Sequence, residues 1–230
     1  MREIIFDTET TGLNAGGGDR IVEIGCIELV GRVETGRTFH TYCNPERPMP
    51  PEAQAVHGLS DAFLADKPLF ADCVDALLAF LGGDAQLVAH NASFDFGFID
   101  AELKRAGHPV LDRSRMVDTV AMARRLHPGA KHSLDALCTR YGIDRSHRVK
   151  HGALLDAELL AQLYVEMTGG RQIGMALAAE AVTEVRNFVH AASPATRPFL
   201  AARAHNASAM ELERHAAFLD LIDNPLWRAS

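Results

Sequence analysis

Residues 4–12 read Ile4-Ile5-Phe6-Asp7-Thr8-Glu9-Thr10-Thr11-Gly12. Apolar residues giving way to two acids and then to a Thr-Thr-Gly turn describe a short strand over 3–7 that ends in carboxylates. Alternation along a strand puts Asp7 and Glu9 on one face, about 6.5 Å apart, a separation that suits oxygens sharing a pair of metal ions. Alone, the pair equally fits a strand end running into a polar turn, so its meaning depends on what else converges there.

Working outward, residues 20–30 (RIVEIGCIELV) are apolar on both faces except at Glu23 and Glu28, the pattern of a central, covered strand. Residues 33–42 pair with it as a hairpin across Gly31-Arg32. Pro45, Pro48, Pro50 and Pro51 then break regular structure until a helix at 70–81, closed by Gly82-Gly83. Another buried strand covers 87–90, followed by a helix from about 94 to 106 with Ser93 as N-cap and Gly107 as stop. A strand at 115–118 and helices at 119–126, 134–141 and 153–168 complete the unit, with Asp118 capping the first of these helices. A meander that turns into strand–helix alternation predicts an α/β fold, a mixed sheet with helices on both faces.

Composition bounds the rest. The 230 residues are 47% hydrophobic, ample for a core, and no apolar run approaches the ~18 residues of a membrane span. The start MREIIFDTET does not have the form of a signal peptide. Cys26, Cys43, Cys73 and Cys138 lie far apart without a CxxC pair, which argues against zinc and disulfides and for reduced thiols in the cytoplasm. A net charge of -7 with a pI near 5.9 argues against tight, autonomous nucleic-acid binding through a basic surface, though not against a nucleic-acid substrate.

Three further residues join the first pair. Asp95 stands just inside a helix after a buried strand, where the helix dipole alone could also account for it. Asp156 is more telling, because a helical wheel places it within an apolar arc made by Leu159, Leu160, Leu163, Tyr164 and Met167. A bare charge on such a face costs several kcal/mol, which favours a functional carboxylate. His151 precedes Asp156 by five residues, about 140° on a wheel. It therefore belongs to the approach to the helix, with Gly152 letting the chain turn; by itself it reads equally as a surface histidine.

Together these residues form DxE (7–9), NASFD (91–95) and HGALLD (151–156), in an order and spacing that resemble the DEDDh 3′–5′ exonucleases. A histidine five before the last acid distinguishes this branch from relatives with a tyrosine there. The segments VHGLS (56–60), LVAHNASFDFGF (87–98) and SLDAL (133–137) bring residues 1–169 closer to the epsilon, proofreading subunits of bacterial DNA polymerase III. The resemblance implies a ribonuclease H-like mixed sheet over 1–170 and two divalent cations on Asp7, Glu9, Asp95 and Asp156. Oxygen ligands select Mg2+, with Mn2+ as a substitute. His151 becomes the general base, and the product a nucleoside 5′-monophosphate from a DNA 3′ end. By the same resemblance Thr10, Thr11, Gly12 and Leu13 line the terminal-nucleotide pocket, Leu13 wedging against the last base. His57 approaches a base or phosphate, or is a turn histidine.

Beyond Gly169-Gly170 alanine dominates and no strand pattern remains, so 171–230 reads as a linker and tail with helical segments. Residues 172–177 resemble a sliding-clamp peptide in which Gln172 fixes register and Met175 and Leu177 fill a groove. Trp227, the single tryptophan, marks a tail that in the epsilon family grips the polymerase alpha subunit. A small accessory subunit is left open as a further partner. A free-standing exoribonuclease would match the core but lack the tail, whereas a non-catalytic adaptor would have no use for clustered acids. The expectation is a cytoplasmic, bacterial replisome protein.

Overall fold

The computed structural model describes residues 1–146, 148, 150–170 and 207–222. The chain divides into two compact units, Met1–Met175 and Ala176–Ser230. In the first, a five-stranded sheet is built around β1 (Arg2–Thr10), which pairs antiparallel with β2 (Ile21–Val30) and parallel with β4 (Gln86–Ala89). β3 (Val33–Tyr42) and β5 (Met116–Asp118) form the edges, giving the order β3-β2-β1-β4-β5. The mixed sheet flanked by helices is the architecture predicted from the sequence.

Side-chain alternation in β1 feeds two cores. Ile4 and Phe6 pack with α3 (Phe70–Leu81) and α4 (Ala92–Arg105), while Ile5 packs on the other face with α6 (Leu134–Tyr141) and α7 (Ala153–Met167). Two acids in the covered strands, away from the strand end that carries Asp7 and Glu9, have partners. Glu28 takes Arg2 and Arg37 at 2.7 and 3.0 Å, and Glu3 accepts the Tyr164 hydroxyl at 2.8 Å.

Two helices went unpredicted. α1 (Pro51–His57) and α2 (Asp61–Leu64) occupy the stretch read as irregular because of its prolines. Pro51 takes the first helical position of α1, where a missing N–H costs nothing, and Gly58 closes the helix in a left-handed conformation. The α4 cap also differs from the expectation. Asn91, not Ser93, is the N-cap, with φ of 66°, and Asp118 replaces a side-chain cap by accepting from the Asn91 and Ala92 amides. The same oxygen accepts from Val120 at 2.9 Å, so Asp118 caps α5 (Thr119–Leu126) as expected and ties two helix starts together.

In the second unit the described residues include one helix, α8 (Ala209–Leu219), whose start is closed by reciprocal bonds between Ser208 and Glu211. Gln172, Met175, Leu177 and Trp227 lie outside the described residues. Among the described residues no helix is long and apolar enough to cross a membrane.

Candidate active site

The site forms where β1 ends. Asp7 and Glu9 project to the α7 side, in step with Ile5, while Thr8 turns to the α4 side. Thr8 fixes the third acid: its amide and hydroxyl both donate to Asp95 Oδ1, at 3.1 and 2.7 Å, and Asp95 is only 2% exposed.

The fourth acid arrives through a close approach of backbones. Gly25 of β2 lies opposite Asp7 in the ladder. A Cβ built on Gly25 would lie 2.3 Å from the Leu154 amide nitrogen and 2.4 Å from the Ala153 carbonyl carbon. Only glycine lets the first turn of α7 rest on the strand there, and that turn carries Asp156, 4% exposed. His151, just before the extended N-cap Gly152, folds back so that Nδ1 lies 3.1 Å from Asp156 Oδ2. The imidazole is half exposed, and its backbone amide donates to Val56 of α1. The helix begins only after Gly152, so His151 is off the helical wheel as expected, although the extended conformation of Gly152 is one that any residue could adopt.

Glu9, His151 and Asp156 each offer a ligand atom within 4.8 Å of the others. Asp7 and Asp156 line a cleft of about 240 Å3 with His90, Asp135, Arg148 and His151. The electrostatics show why such a cluster calls for cations. Burial, followed by the charges of Asp95, Asp156 and Glu9, holds the Asp7 carboxyl well above the usual carboxylate range. Burial and then the charges of Asp156 and Glu23 push Glu9 up to about 8. Burial pushes Asp95 up to about 7, against the hydrogen bonds from Thr8. Carboxylates that resist ionisation for want of positive charge, with an imidazole in reach, form a donor set fit for a hard divalent cation.

The residues predicted to meet the terminal nucleotide gather beside this cleft. Thr10, Thr11, Gly12, Leu13 and His57 line one cavity of about 530 Å3 together with Glu9. Leu13 is 86% exposed at the cavity mouth. His57 is buried, and its Nδ1 accepts from the Leu59 amide at 3.0 Å. That bond leaves the proton on Nε2, a buried donor that lies by the Thr10 backbone.

Sequence reasoning missed several members. Val56 and Phe94 form an apolar wall of the larger cavity, Val56 because its helix was read as irregular. His90 reaches the smaller cleft and hydrogen-bonds Thr119 at 2.9 Å. Arg148 and Asp135 went unmarked because nothing in their spacing announces an ion pair. Gly25 carried one legible signal, a glycine inside an otherwise bulky strand.

Comparison with known proteins agrees with this geometry. The family model described as "Exonuclease" matches residues 4–164. The DNA polymerase III subunit epsilon of Rickettsia felis is 47% identical over 232 residues, covering 96% of this chain and 97% of the relative. Exonuclease X, solved in complex with 5′ overhanging duplex DNA, is 31% identical with a TM-score of 0.58, over 72% of this chain and 90% of that one. The nuclease domain of 3′hExo, a DEDDh family member bound to rAMP, shares the fold with a TM-score of 0.63 at 16% identity, over 72% and 90% of the two chains. The sheet is therefore ribonuclease H-like, and the chain belongs to the exonuclease family, within it to the epsilon subunits of bacterial DNA polymerase III.

Proposed function

We propose that the chain is the proofreading 3′–5′ exonuclease of a replicative DNA polymerase, removing mispaired 3′-terminal nucleotides as 5′-monophosphates. The observation that carries this reading is the juxtaposition of the Glu9–His151–Asp156 cluster with the cavity lined by Thr10 to Leu13 and His57. One position could hold a scissile phosphate while the other encloses the nucleotide to be removed.

Asp7, Glu9, Asp95 and Asp156 would hold two divalent cations, Mg2+ or Mn2+. Bound there, they supply Lewis acidity and neutralise charge at the phosphate. His151 takes the proton of the attacking water, a task for a half-exposed imidazole at the cleft edge. Thr10 to Gly12 shape the cavity, Leu13 wedges the last base, and His57 at the cavity wall would meet a base or phosphate. Because His151 lies within ligand distance of Glu9 and Asp156, its role needs a test that separates base from ligand.

That test is 3′-labelled primer digestion in Mg2+, paired or mismatched, DNA or RNA, alongside Mn2+ titration. Asp156→Asn should lose both hydrolysis, by about 10^3-fold or more, and Mn2+ binding. His151→Ala should lose hydrolysis and keep Mn2+. Loss of Mn2+ from both variants would make His151 a ligand, and near-normal turnover of His151→Ala at neutral pH would remove it from the reaction.

The partners follow from the tail. Residues 171–230 would tether the nuclease, with Gln172, Met175 and Leu177 on the sliding clamp and the segment ending in Trp227 on the polymerase alpha subunit. Supporting this, Met210, Leu212 and Phe218 of α8 are exposed apolar side chains. Tethering also explains a net charge of -7, since a high local concentration replaces intrinsic affinity for DNA. A chain cut after Gly170 should keep exonuclease activity and lose co-purification with the polymerase.

A further inference from the structure

Arg148, in the connection between α6 and α7, places a guanidinium inside the acid cluster. Its Nε and Nη2 meet the two oxygens of Asp156 at 2.5 and 2.6 Å, a fork on a carboxylate. Nη1 donates to Asp135 Oδ1 at 2.7 Å. Nη2 also lies 2.6 Å from His151 Nδ1. The side chains of Arg148 and Asp156 are 8% and 5% exposed, while that of Asp135 is 48% exposed. Arg148 thus reaches inward from an anchor at the rim, and its charge also acts on Asp7 and Glu9.

Two consequences follow from these contacts. Both oxygens of Asp156 face the guanidinium, so a divalent cation approaching Asp156 from that side meets a like charge in a nearly dry site. A guanidinium can only donate, so the His151 nitrogen that faces it is the acceptor. That nitrogen, 3.1 Å from Asp156 Oδ2, is then held beside a carboxylate oxygen to which it gives no proton. Arg148 therefore fixes the tautomer of His151 as well as the place of Asp156.

We propose that Arg148 is a tethered counter-cation of the active site: its guanidinium competes with the divalent cation for Asp156 and must let go when the cation binds, while Asp135 keeps it at the rim. This rests on the metal-dependent reading above. An arginine that merely braced the site would give the opposite result, because removing a brace from Asp156 weakens cation binding, whereas removing a competitor strengthens it.

The test is calorimetric titration of the full chain with Mn2+, alongside thermal unfolding in EDTA and in saturating Mn2+. Arg148→Gln keeps much of the side-chain volume and drops the charge. Arg148→Lys keeps the charge and drops the fork, so a result remains if one variant folds poorly. Arg148→Gln should bind Mn2+ about tenfold tighter, as loss of one competing charge-assisted contact would give, with Arg148→Lys between it and the wild type. In EDTA Arg148→Gln should melt several degrees lower, with the gap closing in Mn2+. Unchanged or weaker Mn2+ binding by Arg148→Gln overturns the counter-cation role and leaves the metal reading intact. A wild type that takes up no Mn2+ overturns both.

Discussion

Asp95 and Asp156 enter the same cluster from the first turns of two helices, α4 and α7, yet they are held by different means. Asp95 accepts from the amide and hydroxyl of Thr8, neutral donors on the strand that also carries Asp7 and Glu9. Asp156 is held by a cation on a loop and lies beside a half-exposed imidazole. The first arrangement uses only neutral donors. The second depends on which positive charge sits against Asp156. On the proposal above, the β1–α4 half would act as the fixed floor of the cleft and the α7 half as the part that answers to cations.

The sharpest way to break this division is Gly25→Ala. The added methyl meets backbone atoms of Ala153 and Leu154, which no rotamer change can move aside. α7 must shift off β2, carrying Asp156 with it, while Asp95 and Thr8 keep their places. Activity should fall by about 100-fold, since displacement of a reacting group by roughly 1 Å costs that much. Overpacking should lower stability by about 1–3 kcal/mol. Kinetics and denaturant unfolding check both numbers, and a variant of normal activity would show that α7 is not positioned through Gly25.

Where the sequence was readable, the reason was local. β2 and β3 follow from alternating or continuous apolar runs, and α3, α5 and α6 from periodic segments, so their spans match the prediction nearly residue for residue; β1 was read too short, because the strand continues through the polar residues as far as Thr10. The four acids and His151 were singled out because a pattern of spacings marks them, with the buried wheel position of Asp156 adding physical weight. What escaped is tertiary. Arg148 becomes meaningful only once α6 and α7 bring Asp135 and Asp156 to either side of it. α1 was hidden by treating Pro50 and Pro51 as breakers when the second starts a helix. Ser93 was chosen as a cap by residue type, but the left-handed Asn91 and the distant Asp118 do that work, a solution that no local window displays.

The fixed half is tested by Thr8→Val, which keeps the shape of the side chain and removes the hydroxyl. Asp95 then retains only the Thr8 amide of the two donors. Losing a partner that orients a metal-binding carboxylate typically costs about 10–100-fold in metal affinity or activity. The expected result lies in that range, smaller than for Gly25→Ala because no backbone moves. A double variant with Arg148→Gln sharpens the comparison. If the two halves are independent, their effects on Mn2+ affinity multiply; strong departure would mean that Asp95 and Asp156 are positioned as one unit.

The smallest effect concerns stability against pH in EDTA, and its sign follows from the acids themselves. Glu9 and Asp95 hold their protons up to about 8 and about 7 in the folded chain, against ordinary values of 4.5 and 3.8. Groups so raised favour the folded state fully below their unfolded values, and that contribution is lost as pH climbs through the folded ones. The EDTA-treated protein should therefore melt lower as pH rises from about 5 to about 9. Saturating Mn2+ should flatten the slope, because a cation favours the ionised acids. Thr8→Val should raise Asp95 further, since the hydroxyl bond it loses opposes the shift, and so move part of the fall to higher pH. Differential scanning calorimetry across that range reads all three. A melting temperature that rises with pH in EDTA would mean that the carboxyls are already neutralised by charge within the fold, Arg148 foremost, leaving no deficit for a divalent cation to fill.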